Sequence, residues 1–268
     1  MTAFDVMERR IWGGQAESYA RTAARLCVRT VPALLDAAGV GAGTRMLDVG
    51  CGTGNVTAAA LARGAAVRAV DAEPDMVAAT RRAVPGTEVR TGTLPQLPYA
   101  DAEFDAIVGN FVLNHVGRPL EALVEMRRVA RPGGRIAVTV WQLPGTPGQT
   151  LVGRAAQAAG LTRPDWLATV DEERNFPRTP DGLAALLTAA GLADVEADTH
   201  AWDHRVDPED WWAGPAAGIG AVGGMVTGAG PEGVAAAKRE YDVLCREFLT
   251  EDGLLALPHV AVLARGRV

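Results

Sequence analysis

Apolar and polar positions alternate regularly through the middle of this chain. Between residues 44 and 141, short apolar runs alternate five times with stretches whose apolar side chains recur at helical spacing. Continuous apolar runs bounded by turns are typical of strands buried on both faces, and strands that alternate with helices form parallel sheets. The pattern predicts an α/β fold with a mostly parallel sheet and helices on both faces.

The segments next to this region follow other patterns. Residues 8 to 38 carry apolar side chains at roughly helical spacing and end at Gly39, which predicts helices before the sheet. The nearly continuous apolar run from Leu254 to Leu263 predicts a buried last strand.

Two segments, residues 142–180 and 205–250, break the alternation and are interpreted as insertions. The second contains a glycine-rich run from Gly214 to Gly233. Because this run has too little apolar bulk to form a core by itself, we expect it to be a mobile lid.

Composition narrows the classes of function. The chain has 268 residues, enough for one domain with a full core. Its net charge is −6, whereas nucleic-acid-binding domains are typically basic. No apolar run reaches the ~18–20 residues of a membrane span. The first residues show no basic segment followed by an apolar stretch, so we expect no signal peptide. The three cysteines are widely spaced and form no C-x-x-C motif, which argues against a disulfide scaffold or metal site and favours the cytoplasm.

The most specific feature is the glycine-rich segment from Leu47 to Asn55. Gly50, Gly52 and Gly54 follow a short apolar run at alternate positions, as in a strand that turns sharply into a helix. Glycine adopts positive φ angles and leaves no side chain between backbone and ligand, and a helix start offers unpaired N–H groups. We expect a nucleotide-cofactor loop, with a glycine-rich turn that binds nothing as the alternative.

Two residues of this segment distinguish between cofactors. A dinucleotide-binding loop needs a third glycine where this chain has Asn55, and apolar residues where it has Asp48. A carboxylate at the end of a strand would repel a pyrophosphate, but it suits a ligand with an ammonium group. S-adenosylmethionine carries an ammonium group and a sulfonium but no phosphate, so these residues favour it.

A second carboxylate lies at a suitable distance along the chain. Asp71 follows the next predicted strand, 21 residues after Gly50, near the ~20-residue spacing of carboxylates that accept hydrogen bonds from ribose hydroxyls. An aspartate in this place is often only the N-cap of the next helix. Its position after the glycine loop favours ribose binding.

Four motifs, in the same order, resemble those of the class I S-adenosylmethionine-dependent methyltransferases. Residues Asp48 to Gly54 closely resemble the first motif, and Asp71 to Met76 are similar to the family's D-x-S-P-x-M. Gly92 to Tyr99 resemble G-D-A-x-x-L-P-F, with Thr93 in place of the acid that usually holds the adenine amino group. Arg127 to Gly134 resemble the helix end that precedes the family's fifth strand.

The resemblance implies a Rossmann-like sheet of seven strands, the last antiparallel, in a single domain over residues 1–268. Residues 1–43 would form a helical cover, residues 44–141 the cofactor-binding core, and the two insertions the lid of an acceptor site. It also implies S-adenosylmethionine as cofactor, S-adenosylhomocysteine as product, and no metal. The cofactor-binding residues that it implies are Asp48, Gly50, Cys51, Gly52, Gly54, Asn55, Asp71, Ala72, Met76, Thr93, Leu94, Asn110, Phe111 and His115.

Three residues are candidates for catalysis. His115 follows the fourth predicted strand and matches the second histidine of the family's F-x-L-H-H; it is either a base or a structural histidine against the cofactor. Tyr19 matches a tyrosine that lies near the methionine end, with a core aromatic as an equal alternative. The third is His204, which flanks the sixth strand beside the lid; its neighbour His200 could face the acceptor in its place, whereas His259 is expected to be structural.

Five of the six tryptophans lie in the last half of the chain. With one phenylalanine, they are expected to surround an acceptor cavity: Trp141, Trp166, Phe176, Trp202, Trp211 and Trp212. Aromatic walls favour a small apolar or aromatic acceptor, methylated on oxygen, nitrogen or carbon. A non-methylating reaction such as cyclisation, and a cofactor-binding regulator without turnover, stay open as alternatives. A monomer and a homodimer are both compatible with the sequence.

Overall fold

A computed structural model describes every residue from Met1 to Val268. Its seven strands form a single sheet in the order β3-β2-β1-β4-β5-β7-β6. The strands are β1 (Arg45–Val49), β2 (Ala66–Asp71), β3 (Glu88–Thr91), β4 (Phe104–Asn110), β5 (Ala130–Trp141), β6 (Ala193–Val206) and β7 (Leu255–Arg267).

Twelve α-helices accompany the sheet. None of them combines the length and the apolar composition that a membrane-spanning helix requires. The helices are α1 (Ala3–Trp12), α2 (Ala16–Arg21), α3 (Ala23–Cys27), α4 (Val31–Ala37), α5 (Asn55–Ala62), α6 (Pro74–Ala83), α7 (Pro119–Val129), α8 (Pro147–Ala158), α9 (Pro180–Ala189), α10 (Pro208–Ala216), α11 (Gly220–Gly228) and α12 (Gly230–Leu244).

The predicted Rossmann-like sheet with an antiparallel last strand is confirmed. Strands β1 to β5 pair in parallel, whereas β7 is antiparallel to both β5 and β6. The reason lies in the second insertion. Strand β6 ends at Val206, and helices α10 to α12 return the chain to Leu255, which is the register partner of Val206. Because β7 starts at the edge where β6 ends, it must run in the opposite direction.

Helices cover both faces of the sheet, as the alternating pattern predicts. On one face, α7 and α9 bury Leu123, Met126, Leu183 and Leu187 against Ile107, Ile136 and Val262 of the strands. On the other face, α4 and α5 bury Leu34, Leu35, Val56 and Ala60 against Met46, Val67 and Val108. Full burial of such side chains is the main stabilising term of the fold.

The N-terminal cover is tied to the sheet region by carboxylates. Asp5, in the capping box of α1, accepts a hydrogen bond from the backbone N–H of Gly117 at 2.8 Å. Asp75 of α6 accepts one from the backbone N–H of Ala16 at 2.9 Å. These two contacts hold α1 and α2 across the carboxyl edge of the strands.

The glycine-rich run is helical: it forms the end of α10, α11 and the start of α12, and these helices pack with α8 around a separate apolar cluster. The apolar bulk comes from neighbours, chiefly Leu151 of α8 and Tyr241 of α12. The glycines allow close packing, since a Cβ on Gly224 would lie 2.9 Å from the ring of Trp166. Mobility of this region stays a prediction.

Candidate active site

A cavity of about 880 Å³ lies at the carboxyl ends of the parallel strands. It is bounded by the residues that end β1, β2, β4 and β5, by α1 and α2 of the cover, and by parts of both insertions. Open α/β sheets bind ligands at this edge, because the loops that leave neighbouring strands diverge there. Its volume is typical of small-molecule sites.

The glycine loop forms one end of this cavity. Gly50, Gly52 and Gly54 have φ angles of +70°, +54° and +93°. A Cβ on Gly50 would lie 2.7 Å from Val112, and one on Gly52 would lie 3.1 Å from the ring of Tyr19. Gly50 and Gly52 line the cavity, whereas Gly54 is the N-cap of α5 and lies behind the wall.

Asp71 lines the cavity at the end of β2. Its Oδ2 accepts a hydrogen bond from the backbone N–H of Gly52 at 2.8 Å, and its Oδ1 accepts one from Glu73 at 3.0 Å. Burial raises the pKa of Asp71, although these backbone donors act in the opposite direction. Each carboxylate oxygen retains acceptor capacity, which suits ribose hydroxyls. The N-cap of α6 is Glu73, so Asp71 is not the cap of that helix.

The wall beside Asp71 is suited to a flat ring. Ala72 and Met76 lie there with Thr93 and Leu94, and the Met76 side chain is buried. Thr93 stands where the related motif has an acid, so only a hydroxyl is available for the ring's amino group at this position. The four residues line one part of the cavity, and their role as an adenine site stays a prediction.

Asn110 and Phe111 lie farther along the same wall, with different surroundings. The Asn110 amide donates to the carbonyl of Cys27 at 3.0 Å and accepts from the Thr139 hydroxyl at 2.7 Å. Most of its hydrogen-bonding capacity is therefore used to join the cover to β4 and β5. Phe111 stacks on Trp141, with ring centroids 4.0 Å apart.

Asp48 does not reach the cavity, contrary to the expectation that it faces the ligand's ammonium group. It is fully buried in β1 beneath the loop, where its Oδ2 accepts a 2.6 Å hydrogen bond from the Thr57 hydroxyl. Its Oδ1 has no partner, and burial raises the pKa of Asp48 to about 7. The strand's alternation directs this side chain to the face that α5 covers.

Two further residues of the predicted set also lie behind the wall. The Cys51 thiol is buried next to the Thr80 hydroxyl, at 3.5 Å. The Asn55 amide lies 3.4 Å from the carbonyl oxygen of Ala24. Neither side chain lines the cavity. Both side chains pack behind the glycine loop, so the geometry does not favour a direct contact with a ligand.

Tyr19 and Trp12 are the residues of the N-terminal cover that pack next to the glycine loop. The Tyr19 ring lies beside Gly52, and Trp12 meets it edge-on with centroids 5.5 Å apart. Both rings line the cavity. Burial raises the pKa of Tyr19 well above its usual value, so its hydroxyl stays protonated and is suited to donating a hydrogen bond.

His115 lines the cavity and is paired with a residue that the sequence reasoning missed. Its Nδ1 lies 2.8 Å from Oε2 of Glu8, which also accepts a hydrogen bond from the Trp12 indole at 2.8 Å. A carboxylate only accepts, so Nδ1 carries a proton; in a neutral imidazole the lone pair is then on Nε2. Glu8 belongs to the buried face of α1, with Phe4 and Ile11. An acid in that apolar stripe was the available signal.

His204 and His259 lie in positions opposite to those expected from the sequence. His204 lies outside the cavity wall, in a separate pocket of about 700 Å³ beside α3 and α10. His259, expected to be structural, lines the main cavity instead. Its Nδ1 contacts the Leu257 carbonyl oxygen at 2.9 Å, and burial lowers the pKa of His259 to about 4. His259 is therefore neutral and a weak base.

Only some of the predicted aromatic residues surround the cavity. Trp141 and Trp211 line it, but Phe176 and Trp212 are buried in two separate apolar clusters. Trp166 packs under the guanidinium of Arg10 instead, 4.1 Å from its ring centroid. Trp202 contacts the rings of Trp141 and His259 from behind. Sequence position alone did not distinguish wall from core.

The residues at the glycine-loop end fit an adenosyl cofactor. The two glycines leave the backbone open, Asp71 retains acceptor capacity, and Met76 with Leu94 offers an apolar surface. No group of three or more histidine, cysteine, aspartate or glutamate side chains is arranged as metal ligands would be. Independence from a metal stays a prediction.

Comparisons with known proteins agree with this geometry. Residues 47–138 match the family described as methyltransferase domain. A demethylmenaquinone methyltransferase of Beutenbergia cavernae is 36% identical over 172 residues, which cover 61% of this chain and 71% of that protein. An uncharacterised protein of Mycobacterium tuberculosis is 30% identical over 265 residues, 96% of this chain and 93% of that protein. A putative methyltransferase from Bacillus halodurans has the same fold, with a TM-score of 0.58 over 89% of this chain and 98% of its own, at 20% identity.

Proposed function

The chain belongs to the class I S-adenosylmethionine-dependent methyltransferase family, and from this premise we propose that it methylates a small aromatic or apolar acceptor by in-line displacement. The reacting atom of this acceptor carries a proton, as in a phenolic or enolic hydroxyl. One observation carries the proposal: the Glu8–His115 pair lies on the same cavity wall as Gly50, Gly52 and Asp71. A base and a cofactor cradle therefore face one space.

The glycine-loop end holds the cofactor in this proposal. When bound, S-adenosylmethionine supplies a methyl group on a sulfonium, which is already a good leaving group. The backbone at Gly50 and Gly52 approaches the cofactor without a side chain between them, and Asp71 accepts hydrogen bonds from the ribose hydroxyls. Met76 and Leu94 contact the adenine. Such positioning of reactants contributes ~7–11 kcal/mol to rate acceleration.

His115 accepts the proton that the acceptor loses. As the acceptor oxygen forms its bond to the methyl carbon, the carbon–sulfur bond breaks with its electron pair left on sulfur, and the hydroxyl proton moves to Nε2 of His115. Glu8 accepts the Nδ1–H, which fixes the tautomer whose lone pair is on Nε2, and it stabilises the imidazolium that forms. The proton then leaves to solvent, because His115 is only about half buried; its side chain is 36% exposed.

Two other polar residues on the wall are unsuited to act as the base. His259 has a pKa of about 4, and the Tyr19 hydroxyl stays protonated because burial raises its pKa. Phe111 and Trp141 offer a stacked aromatic surface beside this region. A quinol ring, of the kind that the name of the Beutenbergia relative implies for that protein, falls within the proposed acceptor class.

The test is turnover with a panel of small phenols and hydroxynaphthalenes, measured as release of S-adenosylhomocysteine. His115→Gln should lower kcat by ~10²–10⁴-fold, the usual size of general-base catalysis. Glu8→Gln should lower it less, since Glu8 acts through His115. Both variants should retain affinity for S-adenosylhomocysteine within a few-fold, because the proposed cofactor contacts come mainly from the glycine loop, Asp71, Met76 and Leu94.

His200→Gln is the matched control, because His200 lies outside the cavity wall. An unchanged kcat in His115→Gln would contradict the role of the base. Tight cofactor binding without methylation of any acceptor would favour a regulator. Conversion of an acceptor without release of S-adenosylhomocysteine would favour a non-methylating reaction.

A further inference from the structure

We propose that the acceptor carries a carboxylate and that Arg178 binds it. This inference rests on the proposed function, because it concerns the acceptor end of the same cavity. It adds a charged group to an acceptor that the aromatic wall alone describes as apolar. Arg178 lies on the cavity wall, directly before Thr179, the N-cap of α9.

Arg178 is held in place by its backbone, while its side chain has no partner. Its carbonyl accepts a hydrogen bond from the backbone N–H of Leu143 at 3.1 Å, which joins it to the segment after β5. Its Nε is buried and makes no hydrogen bond, the only lysine or arginine nitrogen of the chain in that condition. Buried charged donors without partners are costly, so such a group is expected where a ligand pairs with it.

The other arginines on the wall differ from Arg178. Arg118 pairs with Glu121 at 2.7 Å, and Arg163 donates to the carbonyls of Leu167 and Ala168. Arg9 is exposed, so water satisfies it. Arg178 alone combines a place on the wall with a buried nitrogen that is unpaired.

Glu8, the acid whose charge acts on Arg178, does not account for this cation. Glu8 acts on Arg178 only through its charge and forms no ion pair with it, and its Oε2 is already bonded to Trp12 and His115. A second buried donor without a partner, the indole Nε1 of Trp211, belongs to the same wall. Unpaired donors call for a ligand rich in acceptor oxygens.

A carboxylate matches this set of donors. The guanidinium presents parallel N–H groups that bind the two oxygens of a carboxylate, with good geometry and charge assistance. Such a contact would also fix the orientation of the aromatic ring, so that its hydroxyl reaches His115 and not another part of the wall. Arg178 is thus assigned as a residue that determines acceptor specificity.

The experiment compares 3-hydroxy-2-naphthoate with its primary amide as ligands of the S-adenosylhomocysteine-bound enzyme, by calorimetry. The two compounds differ in charge but hardly in shape, and calorimetry measures their binding without the need for turnover. The wild type should prefer the carboxylate by at least ~10-fold. Arg178→Met should abolish this preference, Arg178→Lys should retain part of it, and Arg9→Met should retain all of it. A preference of the wild type for the amide, equal binding, or binding of neither would overturn the proposal.

A second measurement needs no acceptor. If Arg178 awaits a ligand, Arg178→Met should raise the melting temperature of the acceptor-free protein, by about 2–4 °C. A lower melting temperature would show that Arg178 is paired within the protein and would also overturn the inference. Failure of the proposed function has a different signature. It would appear as an unchanged kcat in His115→Gln, with the carboxylate preference intact.

Discussion

The two ends of the cavity are built in different ways. The cofactor end takes its main elements from one continuous stretch, with Gly50, Gly52, Asp71 and Met76 within a short distance along the chain. The acceptor end brings together side chains from distant parts of the chain: Glu8 of α1, His115 after β4, Arg178 near the end of the first insertion, Trp211 of α10 and His259 of β7. One end can be recognised as a motif, and the other cannot.

The difference follows from what each end uses for recognition. At the cofactor end, backbone groups do much of the work, and the requirement on the sequence is the absence of a side chain at a fixed spacing. At the acceptor end, side chains from distant segments do the work, so each depends on the packing of its own element. The comparison predicts local, severe effects at the first end and separable effects at the second.

Gly52→Val should have the largest effect on the cofactor end. A side chain here would meet the Tyr19 ring, since even a Cβ lies 3.1 Å from it, and φ is +54°. Affinity for S-adenosylhomocysteine, measured by calorimetry, should fall by at least ~1,000-fold, or about 4 kcal/mol. Gly86→Val is the control, because Gly86 also has a positive φ but has open space around it. If both variants bind the cofactor alike, close approach at the loop is not the reason for its glycines.

Trp212→Ala and Trp211→Ala should separate core from wall at the acceptor end. Trp212 is buried against Tyr241, so its loss should cost about 3–5 kcal/mol of unfolding free energy, measured by urea denaturation. Trp211 lines the cavity, so its loss should mainly raise the acceptor's KM, by roughly tenfold or ~1.4 kcal/mol. Equal destabilisation by both substitutions would place Trp211 in the core.

Asp71→Ala tests whether the carboxylate at the cofactor end contributes to ligand affinity or to the stability of the fold. Loss of hydrogen bonds to two ribose hydroxyls should weaken binding of S-adenosylhomocysteine by about 30- to 1,000-fold, or 2–4 kcal/mol. The protein should remain folded, as its thermal transition would show. Asp101→Ala provides a control, because that carboxylate is exposed and paired with Arg128. An unchanged dissociation constant would leave Asp71 with only its two backbone contacts.

Asp48→Asn should have the smallest effect, and one that depends on pH. The pKa of about 7 in the folded state exceeds the usual 3.8, so between these values the folded protein holds a proton that the unfolded chain has lost. Stability therefore falls as pH rises towards 7, by about 2 kcal/mol from pH 5.5 to 8. Urea unfolding of the ligand-free proteins should show this fall in the wild type but not in Asp48→Asn. Parallel pH profiles would contradict it.

Much of the fold was predictable because its signals are local. The glycine loop, the cap at Thr179 before α9 and the apolar run of β7 each depend on neighbours in sequence, and the structure contains all three. What packs against the glycine-rich run of the second insertion could not be predicted, because its core partners lie in α8 and α12. Glycine content reports backbone freedom, but it does not report what packs against that backbone.

The sequence by itself determined the sheet with its reversed last strand, the family and the positions of the glycine loop and Asp71. Three features are seen only in the tertiary structure. Asp48 lies beneath the loop, His204 lies outside the cavity whereas His259 lines it, and Glu8 pairs with His115. The physical reason is the range of the interactions. Backbone geometry and strand or helix periodicity act over a few residues, whereas burial and pairing of side chains are decided by contacts between segments that are far apart in the chain.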